Sequence, residues 1–146
     1  MLPGTTRPIN LPPGYQPPES GYIEINLATH FRLILEKKGG LENLSAQRVR
    51  ELNHHLKLLQ PTKIWNACNG CHIGLGAELS LDATPISFHF INNIIPKPPA
   101  RRRSVSIKRY FEEKYQIRLN YPNSPLLRDV TGSMFPLEAV WIRFNV

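Results

Sequence analysis

Tyr110 and Lys114 stand four residues apart, and Tyr115 follows directly. On a helix the first two share a face, one turn apart. A tyrosine hydroxyl donates a hydrogen bond without the hydration cost of an ammonium group, and its ring walls a cleft. Lysine adds charge. Arg109 lies beside Tyr110, and Arg101, Arg102 and Arg103 lie just upstream. Two hydroxyls and a set of cations at one helix end form an environment for phosphate. Aromatic rings nearby would add a stacking surface for a base. Such a set suits the end of an RNA, whose phosphates, ribose hydroxyls and last base face are common to every sequence.

A second group is Cys68-Asn69-Gly70-Cys71-His72. It matches the C-x-x-C-H attachment signature of c-type haem, with His72 as one iron ligand and Met134 as the candidate sixth. A zinc site from Cys68, Cys71, His72 and His89 is a further reading, although a second ligand pair is missing. The reading favoured here is plainer: two small turn residues of a β-hairpin. No metal or cofactor is therefore assigned. The chain holds no paired acids, no nucleophile with a base and no phosphate-cradling glycine loop, so it is read as non-enzymatic.

The bulk properties agree with a polyanion partner. The chain has 146 residues and a formal charge of +7. Residues 1–96 hold 8 Lys and Arg against 7 Asp and Glu, whereas residues 97–146 hold 10 against 4. Charge gathered in one half points to nucleic acid or an anionic surface more than to solubility. No apolar run is long enough to span a membrane, so no membrane partner is assigned. With only two cysteines there is no disulfide framework, and the expected compartment is the reducing cytoplasm or nucleus.

The elements that must position these groups follow from local pattern. Six of the 14 prolines fall in residues 1–20, which read as an unstructured leader or linker. Residues 21–146 read as one domain. Within 22–35 the opening alternation of Tyr22, Ile23, Ile25 and Leu27 fits strand or helix, and the remainder fits a helix ended at Lys37-Gly40. Ser45 caps a helix carrying Val49, Leu52, Leu56 and Leu59 on one stripe, stopped by Pro61. Residues 62–95 read as short strands, the last with Ile86, Phe88 and Phe90 on one face. KPPARRR, residues 97–103, reads as a loop.

Ser104 or Ser106 caps the helix SIKRYFEEKY, with Ile107 and Phe111 toward the core. QIRLNY, residues 116–121, alternates as a strand with Ile117, Leu119 and Tyr121 on one side. The final strand carries Val140, Ile142 and Phe144. The fold class expected is α+β: a small OB-like or SH3-like β-barrel with flanking helices and a short hairpin insert.

These residues also resemble a known family. Tyr110-Phe111, Lys114-Tyr115, Tyr121-Pro122-Asn123-Ser124-Pro125 and Pro136-Leu137-Glu138 fall in the order and spacing of the C-terminal half of the PAZ domain. That domain occurs in Argonaute proteins and in Dicer, and the Argonaute version is the closer likeness. The resemblance spans roughly residues 40–144 and is densest at 104–142. It implies a non-catalytic module of RNA silencing that holds the 3′ end of a small RNA, as part of a larger parent or alone. Tyr110 and Tyr115 would bond the terminal phosphate and Lys114 would add charge. Phe88 or Phe90 would stack on the end base, and Leu137 would pack the sugar. His72 would supply a donor in the shortened insert, where CHIGL replaces a basic-aromatic hairpin. The chain also carries Trp65 and Asn66 where many members have a histidine.

Overall fold

The computed structural model describes residues 21–35, 40–91 and 104–146. The leader at 1–20, the Lys37-Lys38-Gly39 stop, the KPPARRR loop and its arginines lie outside the described residues.

The chain enters as strand β1, Tyr22–Asn26, and turns at once into helix α1, Leu27–Ile34. Asn26 decides the switch. Its side-chain oxygen accepts from the Thr29 N–H at 3.3 Å and caps the helix, while its amide nitrogen donates to the Glu138 carbonyl at 2.9 Å. Helix α2, Ala46–Leu59, begins at Ser45, whose hydroxyl accepts from the Arg48 N–H at 3.1 Å. Its stripe of Val49, Leu52, Leu56 and Leu59 is buried, and Gln60 ends it in the left-handed region before Pro61.

Short strands follow: β2, Lys63–Asn66; β3, His72–Ile73; β4, Glu78–Leu79; β5, His89–Ile91; and β6, Ser104–Ser106. Strand β6 runs directly into helix α3, Ile107–Tyr115. Strands β7, Leu127–Arg128, and β8, Met134–Phe135, form a hairpin. A 3₁₀ turn at Leu137–Ala139 leads into β9, Val140–Asn145.

The α+β class is what the structure has, but the strands do not close into a barrel. Among the described residues they form three separate sheets, ordered β1-β9-β2-β3, β4-β7-β8 and β5-β6, with antiparallel pairing throughout. Most of the smaller strands are only two or three residues long, too short to carry a continuous ladder around a barrel.

Two other expectations also change. Residues 116–121 are not a strand. Their backbone N–H groups are taken by carboxylates: Leu119 N–H donates to Glu112 at 2.9 Å, and Asn120 and Tyr121 N–H donate to Glu138 at 2.7 and 3.0 Å. The long strand through Ile86 shrinks to β5. Thr84 and Ser87 bond each other's hydroxyls and backbone and build a turn instead, which leaves Ile86 49% exposed.

The apolar residues form two clusters. The larger lies under the four-stranded sheet and includes Phe31, Leu52, Leu56, Ile64, Ile142 and Phe144. The smaller comprises Ala83, Ile107, Phe111, Leu119, Leu126 and Ala139. Leu137 belongs to the first and Ala139 to the second, so the 3₁₀ turn is the seam between them. Among the described residues, no helix is long and apolar enough to cross a membrane.

Candidate nucleic-acid interface

Helix α3 sets the geometry of the site. Ser106 caps it by accepting from the Arg109 N–H at 3.1 Å. Ile107 and Phe111 anchor its inner face in the small core, which turns Tyr110 and Lys114 outward together. Gln116 then leaves the helix with φ of 53°, so the chain breaks away immediately after Tyr115.

Tyr110, Lys114 and Tyr115 line one open cleft of about 390 Å³ together with Phe88 and Phe90. That volume lies within the usual range for a small-ligand site. The rings meet edge to face: Phe90 and Tyr110 centroids are 5.1 Å apart, and those of Tyr110 and Tyr115 are 6.4 Å apart. Phe88 and Phe90 both pack partly on the small core, so neither is a plain interior residue.

The hydrogen bonding is directional. Lys114 Nζ donates to the Tyr110 hydroxyl oxygen at 2.8 Å, and Asn69 Nδ2 donates to the Tyr115 hydroxyl oxygen at 3.3 Å. Each tyrosine oxygen is thus an acceptor here, and each O–H proton remains to be donated elsewhere. The Lys114 ammonium lies 5.2 Å from the Tyr110 ring centre and 5.4 Å from that of Tyr115. The bond to Tyr110 pushes its pKa up, so the group stays charged. The set amounts to two hydroxyl donors and a cation, the components of an oxyanion site.

The other basic residues of α3 are already paired. Lys108 contacts Glu112 at 2.8 Å, and Arg109 contacts Glu113 at 2.8 Å. The Lys108 bond and the Leu119 N–H hold the Glu112 carboxyl below its usual range. Arg109 does not line the cleft, and its charge is locally balanced.

Leu137 and His72 also fall outside the cleft. Leu137 is 1% exposed in the large core, so it has no free surface to pack a sugar. His72 is exposed on β3 and sits across from Trp65 on β2.

Three contributors were not anticipated. Asn66, which ends β2, and Asn69, from the turn after it, line the cleft, as does the β7–β8 turn through Gly132 and Ser133. Asn66 Oδ1 accepts from Cys68 N–H at 3.0 Å and Asn69 Oδ1 from Cys71 N–H at 2.9 Å. These side-chain-to-backbone bonds are the signature of Asx turns, and they were the available signal in NACNG. In the second turn, burial pushes the Asp129 carboxyl up. Bonds from the Thr131 hydroxyl and from the backbone of Ser133, Thr131 and Gly132 outweigh that effect and hold it below its usual range. Gly132, at φ of 91°, occupies a backbone region that a side chain would strain.

The CNGCH segment is therefore a β2–β3 hairpin turn, with the Asn66 N–H donating to the Cys71 carbonyl at 2.8 Å. Burial pushes the Cys68 thiol up, away from the thiolate form that binds metal. Among the described residues, no three His, Cys, Asp or Glu side chains gather as a metal-holding group. Met134 lines the aromatic cleft.

A larger open depression of about 810 Å³ lies beyond the β7–β8 turn. There Arg50 and Arg128 face Glu78, Asp82 and Asp129, so acids offset the cations and no tyrosine hydroxyl is offered. The smaller cleft has the better chemistry for an anion.

The Tyr121–Pro125 and Pro136–Glu138 elements also bond to one another. The Glu138 carboxylate of Pro136-Leu137-Glu138 accepts from the Tyr121 N–H that opens Tyr121-Pro122-Asn123-Ser124-Pro125. Ser124 then donates its hydroxyl back to the Tyr121 carbonyl at 2.8 Å. No protein-family model matches this chain, and no curated protein matches it significantly.

Proposed function

We propose that this chain is a non-catalytic RNA-binding module that anchors the 3′ end of a small single-stranded or 3′-overhanging RNA, in the manner of an Argonaute-type PAZ domain. One observation carries the reading: Tyr110, Lys114 and Tyr115 converge with Phe88 and Phe90 on a single open cleft. The two hydroxyls and the ammonium take the terminal phosphate, and the phenylalanine rings take the last base. Recognition of this kind needs no base-edge contact. One stacked base contributes roughly 1–3 kcal/mol whatever its identity. The phosphate contribution weakens as salt rises. In this reading the module serves RNA silencing in the cytoplasm or nucleus, within an Argonaute-like parent or alone.

The test compares a fluorescent duplex bearing a two-nucleotide 3′ overhang with a blunt duplex of the same sequence. The overhang binds more tightly if the cleft reads an end. Equal affinity for the two rejects end recognition. Tyr110→Phe with Tyr115→Phe removes both hydroxyl donors and keeps both rings, and it weakens overhang binding by about 1–3 kcal/mol.

A further inference from the structure

The four-stranded sheet has a second face, and its residues are not used by the cleft. Strand β9 buries Val140, Ile142 and Phe144, so Trp141 and Arg143 point the other way. Strand β2 buries Ile64 and Asn66, leaving Lys63 and Trp65 on that same outer side. The pairing register sets Trp65 directly across from Trp141 on one neighbour and from His72 on the other. Lys63 faces Arg143 one step along. The result is a row of Trp141, Trp65 and His72 across the sheet, bordered by Lys63, Arg143 and Glu24.

Outward positions of a one-sided antiparallel sheet are normally polar. Here two partly exposed indoles stand with centroids 6.4 Å apart and planes tilted by 30°. A cross-strand aromatic pair also steadies a sheet. That alone does not account for the chemistry around it. The Lys63 ammonium lies 4.6 Å from the Trp65 ring centre. Glu24, the acid of this face, is bonded to Arg143 at 2.7 Å, so that pair is locally balanced and Lys63 is the cation left beside the indoles. Among the described residues no cation caps Trp141.

We infer that this sheet face is a second nucleic-acid site, a platform on which the bases of single-stranded RNA stack over Trp141 and Trp65 while Lys63 meets a phosphate. Chemistry decides the occupant: flat aromatic rings beside an ammonium complement bases joined by phosphates. The site reads the body of a strand and needs no terminus, so it stands whether or not the cleft holds a 3′ end. A base stacking on Trp65 displaces the Lys63 ammonium sideways, toward the backbone it would neutralise.

The chain has two tryptophans, and both lie on this face, so intrinsic fluorescence reports on it directly. The experiment titrates the full chain with a closed single-stranded RNA circle, which has no 3′ end, and with a blunt RNA duplex, whose bases are already stacked inside. The circle is expected to quench the emission, with an affinity that falls as salt rises, and the duplex to leave it almost unchanged. Trp141→Leu is expected to weaken circle binding about tenfold, read by the remaining tryptophan, and Trp141→Phe to retain most of it. No quenching by the circle at low salt overturns the proposal, and would leave a protein surface as the occupant. Equal quenching by circle and duplex overturns it as well, because attraction to phosphate would then suffice. The wild-type titration decides the matter even if Trp141→Leu fails to fold.

Discussion

In the large core, Phe31 and Phe144 are wholly buried and every strand of the outer sheet contributes an aliphatic neighbour. In the small core the aromatic residues Phe88, Phe90, Tyr110 and Tyr115 are only partly covered, and their uncovered surface is the wall of the cleft. The materials are alike, but the use differs. Full burial converts ring area into stability, whereas a ring left half open keeps part of that gain for a ligand. The small core trades fold stability for binding surface, and the large core makes that affordable.

The largest expected effect tests the division directly. Phe144→Ala should cost about 3–5 kcal/mol in urea denaturation, because it opens a cavity in a packed interior. Phe111→Ala, in the smaller cluster where neighbours can close in, should fall at or below the low end of that range. A costlier Phe111 would break the comparison. The seam comes next. Glu138→Ala removes the acceptor for two backbone N–H groups, Asn120 and Tyr121, and should cost about 2–3 kcal/mol.

Mild acid, above the carboxylate range, probes the large core. His30 is wholly buried, with its Nε2 3.3 Å from His55 Nε2 and its Nδ1 without a hydrogen-bond partner. Burial, with a contribution from the His55 charge, lowers its pKa to about 3. The unfolded chain binds a proton near pH 6.5 that the folded chain refuses. Stability is therefore full above pH 6.5 and drains away as pH falls, by about 2 kcal/mol at pH 5. His30→Leu should flatten that slope, and a slope that survives would assign the effect to another group. The smallest effect sharpens the contrast from the other side. Tyr110→Phe with Tyr115→Phe should change stability by less than about 0.5 kcal/mol while RNA affinity falls.

Helices α2 and α3 were legible because each states its own start. Ser45 and Ser106 are caps, and the Val49-to-Leu59 stripe and the Tyr110–Lys114 pair follow from helical period alone. The alternation of Val140, Ile142 and Phe144 was equally plain, and all three are buried. The alternation of Ile117, Leu119 and Tyr121 misled, because a period of two says nothing about who takes the backbone hydrogen bonds. Glu112 and Glu138 take them instead of a neighbouring strand. Leu137 misled in a similar way: an apolar residue beside a cleft motif can face either side of a seam. Part of the cleft came from the ends and turns of hairpins, Asn66, Asn69, Gly132 and Ser133, whose reach depends on strand pairings that no local pattern encodes.

Strand β9 sits between β1 and β2, although it follows both by many residues in the chain. Tyr22 pairs with Asn145, and Trp65 with Trp141. During synthesis, β1 is made and released long before its partner exists. Until then β1 and β2 each show an unpaired edge with Ile23, Ile25 and Ile64 uncovered, a surface open to wrong partners. The large core thus closes only after β9 has been made, and α3 with its tyrosines is translated before that point.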